Sequence, residues 1–343
     1  MTLIIRAICV VSIFILTCGG VFADGELKYA RLGDFSLESG KAIKDCVVGY
    51  RTFGRLNKDR SNVVFFPTWF AGTSEELSNI GFIGAGKAVD TEKFFVIAFD
   101  NIGNGISSSP SNSRTQPGKE FPEFSLRDMV RAGYVLLTEH LKIDRLHAIV
   151  GISMGGAQAF QWVISYPDLA KKAISISGTT KMTPHDLLFW QAEINAITTA
   201  MNCSANGTAV RVVAPLHMLA SKTPHYFATK VKNSELSEML KNTGESLSKY
   251  NPYNWIWQLK ALMTHDIFRQ FGGSEEEAAK TVRAKMLVMV ADHDYMVYPG
   301  PGLNFARQIN AEISKLPGDC GHYSFLCEKS VLQNVVASFL SKP

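Results

Sequence analysis

The stretch Gly151-Ile152-Ser153-Met154-Gly155 constrains this chain more than any other. Upstream, residues 146–150 (LHAIV) are short and mostly apolar, as a buried strand should be. Downstream, residues 157–164 have helical composition and meet no breaker before Pro167. A glycine-flanked serine between a strand and a helix predicts a nucleophile elbow, a sharp and strained turn that lifts the hydroxyl above a sheet. Bulky side chains at 151 and 155 would collide with the strand and the helix, so glycine is required there. The turn also sets Ser153 at a helix N-terminus, where the dipole favours developing negative charge. Such a pentad arises by chance in many chains, so its meaning depends on partners for Ser153.

A serine hydroxyl is a weak nucleophile at neutral pH. It needs a histidine to take its proton and a carboxylate to orient that histidine. Behind an elbow of this kind the acid follows a later strand, and the histidine follows the last one. The apolar run 284–290 leads into Ala291-Asp292-His293-Asp294. Asp294 is the expected acid, because the loop must turn back over the sheet before presenting a carboxylate; Asp292 is the alternative. His293 occupies the acid's slot. His322, in Asp319-Cys320-Gly321-His322, lies between an expected strand over 311–316 and a final helix over 324–340, and is the expected base. The apolar run 62–67 ends in Thr68-Trp69-Phe70-Ala71-Gly72. A loop in that place supplies one backbone N–H of an oxyanion hole and the residue after the nucleophile supplies the other, here Phe70 and Met154. Trp69 and Asn104, on loops leaving strand ends, are expected to line the substrate pocket.

The rest of the chain reads as an α/β fold with a mostly parallel sheet and helices on both faces. With 343 residues, 46% of them hydrophobic, it can bury a large core. Residues 27–53 form an edge hairpin, and 94–100 and 173–177 are buried strands. Residues 124–141 repeat apolar positions at helical spacing, and 302–309 are helical. From 181 to 268 the alternation stops, and helix-like segments are punctuated by Pro184, Pro215, Pro224 and Pro252. This is an inserted helical cap between a first core part, 24–180, and a second, 269–343. The segment 81–88 (GFIGAGKA) fits G-x-x-x-x-G-K but carries Ala88 where a phosphate loop needs Ser or Thr, and no strand precedes it. Lysine and arginine (35) nearly balance aspartate and glutamate (31) and are scattered, which argues against a nucleic-acid partner.

Residues 1–23 read as a cleaved signal peptide: Arg6 in a short n-region, apolar 7–18, and Val21-Phe22-Ala23 before the cut at Asp24. An uncleaved anchor needs about 20 apolar residues, and Gly19-Gly20 interrupt this run. The expected location is secreted or periplasmic, with no stable membrane partner after cleavage. Cys46, Cys203, Cys320 and Cys327 then remain, and export permits disulfides. Of three pairings of all four, one contains a local Cys320–Cys327 bridge around His322; a zinc site of Cys320, His322 and Cys327 is the alternative. Asn202-Cys203-Ser204 and Asn206-Gly207-Thr208 are formal glycosylation triplets.

Several stretches together resemble the homoserine O-acetyltransferase family of α/β-hydrolase proteins. They are 80–96 (IGFIGAGKAVDTEKFFV), 101–109, 121–130 (FPEFSLRDMV), 151–162 (GISMGGAQAFQW), 251–266, 294–299 (DYMVYP) and 321–326 (GHYSFL). The resemblance implies an α/β-hydrolase fold, Ser153 as acyl carrier with Asp294 and His322 as partners, and acetyl-CoA as acyl donor. The chain departs from the family at two places. The loop at 68–72 reads TWFAG where the family has a His-Ala-Leu-Thr-Gly type. No Gly-Leu-x-x-Ala-Arg type segment opens the insertion, and Arg211 is the nearest arginine. Exported proteins rarely meet acetyl-CoA. The expected activity is therefore hydrolysis of a carboxylic ester through an acyl-enzyme, without a cofactor or metal. The alternatives are acetyl transfer from acetyl-CoA, as co-substrate, to a small hydroxylated acceptor, and a non-catalytic binding protein. The oligomeric state is left open.

Overall fold

The computed structural model describes residues 22–203 and 209–342. The expected leader falls almost wholly outside the described residues; Phe22 and Ala23 already pair with Arg55 and Gly54. The second glycosylation triplet and Ser204 of the first also lie outside them. Eight strands form one sheet: β1 (Phe22–Ser36), β2 (Ala42–Arg55), β3 (Val63–Pro67), β4 (Phe95–Phe99), β5 (Leu146–Ile152), β6 (Ala170–Ile176), β7 (Lys285–Ala291) and β8 (Glu312–Leu316). Their spatial order is β1-β2-β4-β3-β5-β6-β7-β8. β1 and β2 are antiparallel, as are β2 and β4. Every later pair is parallel.

The sequence of each strand follows from what covers it. β3 and β4 (VVFFP and FVIAF) are buried at every position, because helices cover both faces of a parallel sheet. Alternate side chains feed different cores: Val63 and Phe65 pack with Phe99 and Trp162, while Val64 and Phe66 pack with Phe325 and Phe339. β8 is one of the sheet's two edge strands, β1 the other. Glu312 and Lys315 of β8 are exposed, and charges there discourage pairing with a further strand.

Residues 81–88 serve a turn. They follow a helix, α1 (Ser74–Asn79), and not a strand. Asp90 Oδ1 accepts the backbone N–H of Gly86 and of Glu92, each at 3.0 Å. The helix expected over 124–141 is α2 (Leu126–Val135) followed by a π-helical turn over 136–140, with Leu136 and Leu137 both buried. α2 opens on a capping box. Ser125 Oγ accepts from Asp128 N at 3.1 Å, and Asp128 Oδ2 accepts from Ser125 N at 2.9 Å. Asp128 Oδ1 also accepts Glu38 N at 3.0 Å, tying the β1–β2 turn to the helix. α3 (Met154–Ser165) is buried along Met154–Ile164 on all sides.

Between β6 and β7 the described chain runs through α4 (Pro184–Cys203), α5 (Ala214–Ser221), α6 (Pro224–Lys230), α7 (Leu236–Leu247), α8 (Pro252–Met263) and α9 (Glu275–Thr281). An isolated bridge between Lys181 and Asp266 joins the entry and the exit of this insertion. After β7 comes α10 (Gly300–Gln308). The final helix expected over 324–340 is two: α11 (Ser324–Cys327) and α12 (Lys329–Ser341). They part at Glu328, beside Cys327, which is bonded back to Cys320.

Asp128 is almost wholly buried and its carboxylate accepts from Ser125 N, Ser125 Oγ, Glu38 N and Arg131 Nη2, so its loss removes a helix cap and a long-range tie. Asp128→Ala is expected to lower stability by about 2 kcal/mol, read as a shift of the urea midpoint.

Candidate active site

At the end of β5 the backbone turns sharply. Ser153 has φ 56° and ψ −120°, left-handed for a residue with a side chain and therefore strained. Three neighbours hold it there. Ser153 N–H donates to Ile176 O of β6 at 2.8 Å. A Cβ on Gly151 would lie 1.9 Å from Gly155 O, and one on Gly155 would lie 2.7 Å from Pro67 O of β3. Only glycine lets strand, serine and helix approach this closely.

Two later loops bring partners to the serine. After β7, Asp294 is 4% exposed; after β8, His322 sits in a one-turn 3-10 helix and is 2% exposed. His322 Nε2 lies 2.8 Å from Ser153 Oγ, and His322 Nδ1 lies 2.7 Å from Asp294 Oδ2. A carboxylate only accepts, so Nδ1 carries a proton and Nε2 of the neutral ring accepts from the serine hydroxyl. Asp294 Oδ1 is fixed separately by the N–H groups of Met296 at 3.0 Å and Val297 at 2.9 Å. Asp292 points elsewhere. It is half exposed and pairs with Lys315 at 2.9 Å. The exposed His293 is likewise apart from the serine's hydrogen-bonded chain.

Met154 is the first residue of α3, so its N–H has no acceptor within the helix. Phe70 lies in the turn after β3, closed by Gly72 N–H to Trp69 O at 3.1 Å. The next N–H, of Ala71, is bonded to Gln258 Oε1 at 2.8 Å, and Ala71 has φ 56°. The Phe70 ring packs edge-on against Trp255, centroids 4.6 Å apart, and 5.8 Å from Trp190. The turn bearing one expected oxyanion donor is thus held by α8 and α4.

Of the two expected pocket residues, Asn104 lines a cavity and Trp69 packs against the core. Trp69 is half-buried against the cluster of Leu77 and Phe325, and its indole lies over Gly72. Asn104 borders a cavity of about 280 Å³ with Ala71, Tyr250, Trp255 and Gln258. Its amide is already engaged as a brace: Nδ2 donates to Asp100 Oδ1 at 2.9 Å and Gly72 O at 3.0 Å, and Oδ1 accepts from Ile106 N at 2.9 Å.

Two bracing residues escaped the sequence reading. Gln258 spans the loops after β3 and β4, accepting from Ala71 N and donating Nε2 to Ile102 O at 3.0 Å. Its signal was an amide inside the apolar run Trp255-Ile256-Trp257 and Leu259. Asp100 is fully buried and accepts Ser74 N at 2.8 Å and Ser74 Oγ at 2.6 Å. Burial pushes its carboxyl above the ordinary range, against the pull of those hydrogen bonds.

Cys320 and Cys327 form a disulfide that brackets His322. Both sulfurs are therefore spent, which removes the zinc alternative. Among the described residues no group of three or more His, Cys, Asp or Glu side chains is arranged to hold a metal ion. Cys203 is exposed and free; Cys46 is buried and free, its thiol pushed up to about 12 by burial.

The two carboxylates after β7 can be told apart by substitution. Asp294→Ala should lower kcat on a p-nitrophenyl ester by about 10⁴-fold, and Asp292→Ala should stay within about twofold of the unsubstituted protein. Equal losses in steady-state assays would contradict the geometry.

Comparison with known proteins agrees with this architecture. Residues 62–202 match the family model described as alpha/beta hydrolase fold. The chain is 32% identical to the ethyl acetate hydrolase of Pseudomonas veronii, over 93% of this chain and 97% of that protein. It is 28% identical to the homoserine O-acetyltransferase of Methanococcoides burtonii, over 90% of this chain and 72% of that protein. The solved structure of the acetyl esterase MekB superposes with a TM-score of 0.86 at 31% identity, covering 93% of this chain and 97% of that one. The strand order, the elbow and these similarities lead to one assignment: the chain belongs to the α/β-hydrolase enzymes, in the branch that holds esterases and homoserine O-acetyltransferases, as a divergent, esterase-like member.

Proposed function

We propose that this protein is an exported serine hydrolase of small carboxylic esters, working through an acyl-enzyme. The observation that carries the reading is the continuous hydrogen-bonded chain Ser153 Oγ, His322, Asp294 at 2.8 and 2.7 Å. Ser153 Oγ attacks the ester carbonyl carbon while His322 Nε2 takes its proton. The oxyanion accepts the N–H groups of Met154 and Phe70. The carbon–alkoxy bond then breaks, His322 returns the proton to the departing alcohol, and the acyl group stays on Ser153. Water then attacks the acyl carbon, giving its proton to His322; the bond to Ser153 Oγ breaks, His322 returns the proton to Oγ, and the carboxylic acid leaves. Asp294 orients His322 throughout and stabilises its charged form.

The acyl group is small, with acetyl the first candidate. Ser153 is only 9% exposed, and two similar enzymes are named for acetyl esters, an ethyl acetate hydrolase and an acetyl esterase. Residues 181–268 act as the cap that shapes this pocket. Export rests on the composition of residues 1–23 and is supported by the Cys320–Cys327 disulfide, which persists in an oxidising compartment. Amino-terminal sequencing of the protein recovered from periplasm or medium should begin at Asp24; a start at Met1 would overturn cleavage, and recovery from the cytoplasm alone would overturn export.

Transfer from acetyl-CoA is the second reading, favoured by the similarity to homoserine O-acetyltransferases. The same acyl-enzyme serves both, and only the acceptor differs. The test is an assay of the mature protein with short esters beside acetyl-CoA plus hydroxylated acceptors. Hydrolysis of ethyl or p-nitrophenyl acetate without CoA release is expected. Ser153→Ala should reduce it on the order of 10⁶-fold. A preference for an alcohol over water, with stoichiometric CoA release, would establish the transferase instead. Failure of a fluorophosphonate to label Ser153 would leave only a binding protein.

A further inference from the structure

Two carboxylates of the helical insertion, Asp186 and Glu193, have no exposed surface, and Glu193 is the one that reaches toward the serine's surroundings. Glu193 of α4 is 0% exposed and accepts two side-chain hydrogen bonds. Trp255 Nε1, of α8, donates to Oε2 at 3.0 Å, and His217 Nδ1, of α5, donates to Oε1 at 3.0 Å. With the proton on Nδ1, the neutral His217 ring offers Nε2 as an acceptor, and the Tyr323 hydroxyl lies 3.4 Å from it. Burial pushes the Tyr323 phenol up to about 12, so it keeps a proton to donate.

Both arms of this carboxylate end at the site. Trp255 lies edge-on against Phe70, at 4.6 Å, in the turn that supplies an oxyanion donor. Tyr323 is the residue after His322, in the same 3-10 turn. The end of α5 also closes on that turn: a Cβ on Gly321 would lie 3.1 Å from Ser221 O, and Thr223 Oγ1 donates to Asp319 O at 2.7 Å. An ion buried this deeply is costly to the fold unless fully hydrogen-bonded, and a nearby pair of apolar side chains would hold three helices together as well. The carboxylate's particular contribution is direction. It makes both partners donate, and so fixes the indole and the imidazole in one orientation each.

We propose that Glu193 is a positioning residue, setting the Phe70 turn through Trp255 and the His322 turn through His217 and Tyr323. This rests on the hydrolase reading of Ser153 and His322. Glutamine at 193 has one oxygen where two are used, so it keeps one bond and must reverse the other.

The test is Glu193→Gln in the full chain, measured at a temperature where thermal unfolding shows it folded. kcat for p-nitrophenyl acetate should fall roughly tenfold with KM within about twofold, since a small misplacement of reacting groups acts on kcat. Ethyl acetate should lose more than p-nitrophenyl acetate, because its poor leaving group depends more on the proton from His322. Tyr323→Phe should widen the same ratio, and Trp255→Phe should lower both esters in proportion. Should Glu193→Gln fail to fold, those two variants carry the test. The rate at which a fluorophosphonate labels Ser153 reads the same geometry without ester turnover. It should fall about tenfold in Glu193→Gln, whether or not the wild type hydrolyses esters. Labelling and kcat that track only the folded fraction overturn the proposal and reduce Glu193 to a helix tie. A wild type inactive on both esters overturns the hydrolase reading separately.

Discussion

The backbone of Ser153 is held where a side-chain-bearing residue does not go of its own accord. A conformation of that kind costs of the order of 1–3 kcal/mol and persists only when its surroundings over-determine it. Here the surroundings are β3, β6 and α3, meeting at Pro67 O, Ile176 O and Gly155 O within contact distance of the elbow. The central strands must therefore be parallel and adjacent, and the first turn of α3 must lie against them. The fully buried strands and the fully buried α3 supply that rigidity. A hydroxyl displaced from this apex would lose its hydrogen bond to His322.

The core presents the serine, but the insertion holds what surrounds it. Gln258 joins the loops after β3 and β4, Trp255 packs on Phe70, and the end of α5 closes on the His322 turn. The site thus lies between the sheet and the inserted helices, braced by buried polar side chains and not by apolar contact alone. Such braces are directional, and losing one partner leaves the other unsatisfied in a dry place.

Much of this was legible because burial on both faces leaves a strong mark. The runs ending at Pro67, Asp100, Val150, Ser177 and Val290 each flag a strand. Where the reading missed, long-range contacts had overruled local pattern. The apolar periodicity of 124–141 continues through a π-turn that no composition reveals. The last helix breaks beside Cys327 because that residue is tied back to Cys320. Glu193 and Gln258 drew no notice, since a polar residue on a helix reads as a solvated face until the structure covers it.

The sequence by itself determined the element order, the elbow and the succession of serine, acid and histidine, because these rest on short-range periodicity and on fixed slots after strands. Tertiary structure alone decided the rest. It drew Asp294 inward by two backbone N–H groups and left Asp292 on the surface with Lys315. It paired Cys320 with Cys327 and joined Glu193 to partners 24 and 62 residues away. Hydrogen-bond partners at such separations are set by where rigid elements cross in space, and spacing along the chain carries no record of that.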